Sequence, residues 1–360
     1  MVPTIGLAVG RGTGPELADV FEHVLTTLAN ASSVPVALTR SPRLYHSYFS
    51  LKAEADGVEE VGLLTERDAD HYEQFCRDLA RAGSTAVFRT AINAQSLYLV
   101  RERLQAVKVD LIEDGDTSLL LVRDEAQGFY TGENRHGPGV VHRTMSFSRD
   151  ITEKVVLTAL RQARRHWPGE QVRQVVMAYK FHLLDGALGA WVAEIGARHG
   201  VDIRLAQPDT VNRNLVEHGL PPRTVVIGAN EWADIMHVVL LDRLGAKRQE
   251  NRCTENIHLH PDVSDLVEYQ TVHGSADDLE GLGVVNPTAT MRAAAAIAER
   301  HAGCAGAVER TENALASVTG RGVRTPDLGG RSSTTEVVSA VVDVLEKPDF
   351  DQHRAATVRA

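Results

Sequence analysis

Apolar positions recur along this chain with two alternating periods, one suited to strands and one to helices. Thr4–Val9 is a short apolar run that gives way to Gly10, Gly12 and Gly14. Beyond it Leu17, Val20, Phe21, Val24 and Leu28 keep helical spacing to near Ala31. The alternation returns downstream. Gln174–Tyr179, Val201–Leu205 and Arg223–Ile227 read as strands; Ala187–His199, closed by Gly200, and Ala233–Leu244, closed by Gly245, read as helices. Asp150 followed by Glu153 has the spacing of a capping box and predicts a helix to about Arg165. Pro287 opens an alanine-rich helix through Glu299, and Thr334–Leu345 shows Val and Leu on one face. Strands separated by helices of these lengths predict an α/β fold with a largely parallel sheet.

One stretch breaks the rhythm. Gly128, Gly132, Gly137 and Gly139 surround the β-prone run Val140–Ser148, which predicts a hairpin arm near residues 127–148. At 360 residues, with 43% hydrophobic and 24% charged residues, the chain suits two domains of ordinary size. A net charge of −10 excludes nucleic acid or an anionic membrane as the main partner, while leaving room for anionic substrates held by a few local arginines. Cys76, Cys253 and Cys304 are unpaired in spacing and suit a reducing cytoplasm. The N-terminal residues lack the pattern of a signal peptide, and no apolar stretch is long enough to span a membrane. Gly10, Gly12 and Gly14 do not make the GxGxxG turn of a Rossmann domain. His258 and His260 have HxH spacing and share a strand face, but no Cys or third His accompanies them, and a metal site is the weaker reading.

Three motifs in order carry a resemblance. Residues 5–16 (IGLAVGRGTGPE) look like a strand and GDGIGPE turn. Residues 272–288 (VHGSADDLEGLGVVNPT) are similar to HGSAPDIAGKGIANPT. Thr325–Gly330 (TPDLGG), followed by Ser333–Glu336, matches TPDLGG…GTxE. Together they resemble the β-decarboxylating dehydrogenases, the isocitrate/3-isopropylmalate dehydrogenase family. The resemblance implies a two-domain α/β fold with a non-Rossmann parallel or mixed sheet. A large cofactor-binding domain would comprise 1–104 and 268–360, and a small domain 105–267 would dimerise, partly through the arm. It further implies NAD-dependent oxidation of a malate-type 2-hydroxy diacid, with Mg²⁺ or Mn²⁺ and with β-decarboxylation, by a cytoplasmic homodimer with shared active sites.

The chemistry needs a base, a proton donor, a cation near the hydroxyl and a carboxylate clamp. By resemblance Lys180 is the base, reaching into the partner's site, and Tyr130 protonates the enol; alone they would read as a solvated lysine and a core tyrosine. Asp209 and Asp234 look like the metal ligands, hard oxygens that suit Mg²⁺ or Mn²⁺. The third aspartate of the family is replaced by Val238, and His182 stands where an asparagine approaches the nicotinamide. Arg123 matches the arginine of a VREN strand, and Arg101 the arginine of a specificity helix from about Ala91 to Leu104. Arg89 reads either as a substitute carboxylate clamp or as a surface arginine, and Val107–Glu113 holds no arginine where the family has one. His273, Gly274, Ser275, Asp278, Leu279 and Asn286 would bind the dinucleotide. The acidic Asp278 favours NAD, since a carboxylate accepts from the ribose hydroxyls and repels a 2′-phosphate. A second reading stays open: a non-catalytic regulatory or ligand-binding subunit on the same fold.

Overall fold

The computed structural model describes residues 2–114, 117–219, 221–243, 253–271 and 274–347. The expected helix stop at Gly245, and His273 of the cofactor segment, lie outside the described residues. In chain order the elements begin with β1 (Thr4–Gly10), α1 (Gly14–Ala31), β2 (Ala37–Tyr45), α2 (Tyr48–Glu54), α3 (Val58–Arg81), β3 (Ala86–Arg89) and α4 (Ala94–Arg103). Next come β4 (Ala106–Asp114), β5 (Thr117–Asp124), β6 (Glu133–Gly137), β7 (Val140–Thr144), α5 (Arg149–His166), β8 (Gln174–Ala178), α6 (Ala187–His199) and β9 (Ile203–Ala206). The chain continues with α7 (Pro208–His218), β10 (Thr224–Ala229), α8 (Asn230–Arg243), β11 (Cys253–His258), β12 (Val267–Thr271), α9 (Thr288–His301), α10 (Ala307–Gly320) and α11 (Thr334–Leu345).

These elements form two compact units. The first holds the described residues up to Ser96, Cys253–Thr254, and those from Asp265 on. Its strands run in the order β2-β1-β3-β12, every pairing parallel. The core joins β1 and β3 to α1, α9 and α11, with Phe21 stacked on Phe88 at 4.2 Å between ring centroids. The alanine-rich α9 is buried almost all round, because small side chains let it lie close to α1 and α10. The capping box at its clearest closes the start of α11, where Ser333 and Glu336 satisfy each other's backbone N–H.

The second unit runs from Leu97 to the end of α8 and includes Glu255–Ser264. Its sheet is mixed: β11, β4 and β5 pair antiparallel, whereas β5, β10, β8 and β9 pair parallel. One face packs on α5 and α6, the other on α7 and α8. The arm is present as a two-stranded antiparallel hairpin of β6 and β7. Two local expectations need correction. α5 starts at Arg149 with Ser148 as its cap residue, so Asp150 falls inside the first turn and makes no capping box. The early start follows from Gln127 Oε1 accepting from Ser148 N (2.9 Å) while the Thr152 hydroxyl donates to the Ser148 carbonyl (2.8 Å), and Glu153 turns to Arg198 and His199. The strand expected at Val201–Leu205 begins later, at Ile203. Among the described residues no helix is long and apolar enough to cross a membrane.

Candidate active site

The second unit gathers a dense set of charges at the C-terminal end of β5. Strand alternation puts Arg123 and Glu125 on one side of the chain and Asp124 on the other. Beyond Gly228, the parallel neighbour of Arg123 on β10, α8 begins at once, and Asn230 and Asp234, four residues apart, share a helix face. Arg123 uses both: its Nε donates to Asn230 Oδ1 at 2.7 Å, and its Nη1 is hydrogen-bonded to Asp234 Oδ1. From α4, Arg101 Nη1 lies 3.1 Å from Glu125 Oε1, which also sits 3.4 Å from Arg123 Nε. Burial opposes the charge on Arg123, but Glu125 and Asp234 outweigh it and hold its pKa above the ordinary value.

Tyr130 completes this group. It sits in a one-turn 3₁₀ helix after Gly128, whose φ of 105° only glycine adopts without strain. The hairpin arm holds that turn, because Arg143 donates to the carbonyls of Phe129 (2.6 Å) and Tyr130 (2.9 Å). The Tyr130 hydroxyl donates to Asp234 Oδ2 at 3.3 Å, the Arg123 guanidinium lies 5.5 Å from its ring centre, and Tyr98 packs 4.8 Å away, centroid to centroid. Burial, then the Asp234 carboxylate, pushes its phenol up to about 12, so it stays protonated through the neutral range. On the far face of β5, Asp124 is fully buried and accepts from Tyr179 (2.9 Å), Gln127 (2.8 Å) and Ala126 N (3.1 Å); burial still lifts its carboxyl to about 6.

Lys180 and Asp209 pair with each other rather than with Asp234. Lys180 stands at the exit of β8 and Asp209 in the first turn of α7; Lys180 Nζ donates to Asp209 Oδ1 at 2.7 Å, and both side chains are largely exposed. The ammonium holds the Asp209 carboxyl below its usual range. His182 shares a ring nitrogen contact of 2.7 Å with Gln207. Among the described residues of one chain, no group of three His, Cys, Asp or Glu side chains is placed to hold a metal ion. His258 of the HxH pair is buried, while His260 is partly exposed and lies 3.8 Å from Asp262.

In the first unit, the turn after β1 and the loop 274–279 are tied together. The Thr13 backbone N–H and hydroxyl both donate to the Ser275 carbonyl, at 3.1 and 2.8 Å, and the Ser47 hydroxyl donates to Asp277 Oδ1 at 2.5 Å. A Cβ on Gly10 would lie 1.8 Å from the Ala91 carbonyl, and one on Gly12 (φ 73°) 2.7 Å from that of Ser275, so both glycines serve close approach. Gly274 and Asp278 are exposed, Ser275 and Leu279 partly so, and Asn286 donates to Asp327 Oδ2 at 2.8 Å. Arg89 is engaged elsewhere than expected. It is buried with its Nε 2.9 Å from Glu268 Oε1, and Tyr72 donates to Glu268 Oε2 at 2.7 Å, so its charge is already answered inside the unit.

Two residues of the charged group went unread in the sequence. No motif singles out Glu125, and Lys108 lies in Val107–Glu113, the stretch that holds no arginine. Lys108 lies on β4 directly across from Arg123 and is 5% exposed. The signal was there: Lys108 and Asp110 occupy one face of a strand whose other positions are Val107, Val109 and Leu111.

Comparison with known proteins bears on the family and the fold. A family model described as isocitrate/isopropylmalate dehydrogenase matches residues 83–341. The 3-isopropylmalate dehydrogenase of Shouchella clausii is 29% identical, covering 96% of this chain and 98% of that protein. A probable tartrate dehydrogenase/decarboxylase of Agrobacterium vitis is 28% identical over 64% of this chain, and the match spans 64% of that relative's length. The structure of isocitrate dehydrogenase from Methylococcus capsulatus superposes with a TM-score of 0.65 at 19% identity, over 96% of this chain and all of that one, a likeness of fold.

Proposed function

Because this chain belongs to the isocitrate/isopropylmalate dehydrogenase family, we propose that it oxidises a malate-type 2-hydroxy diacid with NAD, assisted by Mg²⁺ or Mn²⁺, and releases the β-carboxylate as CO₂. The observation that carries this reading is the convergence of Arg101, Arg123, Tyr130 and Asp234 on one end of the second unit's sheet. Arginine pairs bind carboxylates through planar, charge-assisted hydrogen bonds, and Arg101 and Arg123 stand ready to hold the substrate. Tyr130, kept protonated by its surroundings, donates its proton to the enol carbon once the carboxylate has left. Lys180 accepts the proton of the substrate hydroxyl, its amine held by Asp209.

The donor sets suit the expected groups. Asp234 offers a hard carboxylate that is 44% exposed, and Asp209 offers a second that is 70% exposed. Since Lys180 and Asp209 are exposed together and apart from Asp234 in hydrogen bonding, they act in the site of a second copy. Exposed Ile235, Val238 and Val239 on α8 and Val216 on α7 give that copy an apolar surface to cover. The exposed carboxylate of Asp278 suits ribose hydroxyls and disfavours a 2′-phosphate. When bound, NAD takes the hydride from the hydroxyl-bearing carbon and the divalent ion supplies positive charge beside its oxygen.

The test is direct. Purified protein with Mn²⁺ and NAD is screened against isocitrate, isopropylmalate, homoisocitrate, malate and tartrate by NADH absorbance. Turnover of at least one, abolished in Lys180→Met, is the expected result. Silence across the panel, unchanged by Lys180→Met, overturns the enzymatic reading in favour of a ligand-binding subunit.

A further inference from the structure

Donors from three stretches of chain are gathered by one carboxylate. Asp124 ends β5 on the side opposite Arg123 and is fully buried. Its Oδ2 accepts from the Tyr179 hydroxyl at 2.9 Å and from Gln127 Nε2 at 2.8 Å, and its Oδ1 accepts from Ala126 N at 3.1 Å. Gln127 carries the connection into α5. Its Nε2 also lies 3.2 Å from Thr152 Oγ1, and its Oε1 accepts from Ser148 N at 2.9 Å. Burial, then the Asp124 carboxylate, pushes the Tyr179 phenol far above its ordinary value, which makes it the donor of the pair. Taking a carboxylate out of water is costly, and the charge-assisted bonds that answer the cost also fix their donors more firmly than neutral ones.

What those donors fix lies just ahead of them in the chain. Tyr179 immediately precedes Lys180, at the point where the backbone leaves the sheet. Its N–H donates to the Ala206 carbonyl at 3.2 Å, Phe147 packs edge-on to its ring at 6.4 Å, and the 3₁₀ turn Phe181–Leu184 begins two residues on. The Lys180 side chain is 52% exposed, and among the described residues its ammonium pairs only with the exposed Asp209. Such a side chain takes its direction from its backbone, and Tyr179 anchors that backbone in the interior. Ala126 and Gln127 lead through Gly128 into the turn that carries Tyr130. Arg143 grips this turn from the arm, and Asp124 holds its approach from within.

We infer that Asp124 is a positioning residue for both proton-handling side chains, setting the exit of Lys180 through Tyr179 and the turn of Tyr130 through Ala126 and Gln127. This rests on the roles proposed above for Lys180 and Tyr130. Because Lys180 serves the second copy on that reading, a single buried carboxylate links a residue of one site to a residue of the other.

The experiment is run on the intact protein at pH 8, where a carboxyl that titrates at about 6 is ionised. Steady-state kinetics uses whichever hydroxy acid of the panel is turned over. Tyr179→Phe, which cuts only the branch to Lys180, should lower kcat about tenfold while KM for the hydroxy acid stays within twofold. Asp124→Asn, which weakens both branches, should lower kcat about 10²-fold. Added to Lys180→Met, Tyr179→Phe should cost less than a further twofold, because the side chain it aims is gone. A merely structural Tyr179 would cost the same factor in both backgrounds, which overturns the inference. So does a Tyr179→Phe kcat within twofold of wild type, or a KM that rises while kcat holds. Tyr179→Phe carries the test alone if Asp124→Asn does not fold. Hydrogen exchange, followed by mass spectrometry without substrate, supplies a readout independent of turnover. Tyr179→Phe should speed exchange in 180–184 and spare 126–131, whereas Asp124→Asn should speed both. If no hydroxy acid is oxidised but exchange follows this pattern, the dehydrogenase reading falls and the anchoring by Asp124 stands. Turnover with unmoved exchange and kcat does the reverse.

Discussion

Asp124→Asn is expected to change the sign of its effect on stability with pH. In the folded protein the Asp124 carboxyl titrates at about 6 against an ordinary 3.8, because burial disfavours its charge more than its hydrogen bonds from Gln127, Tyr179 and Ala126 favour it. A raised acid means the native state binds more protons than the unfolded chain, so the cost is absent below pH 3.8 and grows as pH rises toward and through 6. Integrated over that shift of roughly 2 units, the penalty amounts to about 3 kcal/mol at neutral pH and about half of that near pH 5. The asparagine carries no such term, but it loses one charge-assisted bond, worth about 1.5–3 kcal/mol. Urea unfolding of both proteins at pH 5 and pH 7.5 should show the variant gaining about 1.4 kcal/mol relative to wild type between the two. The variant should be the weaker protein at pH 5 and no weaker at pH 7.5. A difference between the two proteins that stays constant within about 0.4 kcal/mol across this range would refute the placement of a charged Asp124 in a desolvated site.

Three further outcomes follow from the same structure. Lys180→Met should lower kcat by about 10²–10⁴-fold with an unfolding midpoint close to wild type, since its side chain is 52% exposed; steady-state kinetics beside a denaturant curve separates the two effects. Tyr130→Phe should uncouple oxidation from proton return, seen as slowed turnover with CO₂ still released. Because the phenol is held up to about 12, wild-type kcat should show no alkaline loss from this group below about pH 10. Arg89→Met should cost about 3–5 kcal/mol of stability by leaving Glu268 buried without its partner. The folded fraction, measured below its melting temperature, should keep the wild-type KM for the hydroxy acid, and a raised KM would return Arg89 to the substrate.

Strands and helices with one-sided apolar patterns were readable from residue spacing, which is why β1, α1, α6 and α11 appear where the pattern puts them. The segment from β2 to α3 was silent for a physical reason. The buried face of α3 includes Thr65 and Asp68 among Leu64, Ala69, Tyr72 and Cys76, so its apolar stripe is interrupted. Asp68 can be buried only because Arg43 and His46 reach it from β2 and the residues after it, and that partnership is invisible to a periodicity. The site shows the same limit more sharply. Arg89, Arg101 and Arg123 are equivalent as letters, yet one is consumed by Glu268, 179 positions away, while the other two share Glu125. Lys108 stands opposite Arg123 through the antiparallel register of β4 and β5, a placement that no motif reports. Which carboxylate each arginine meets is set by the fold, and no motif reports it.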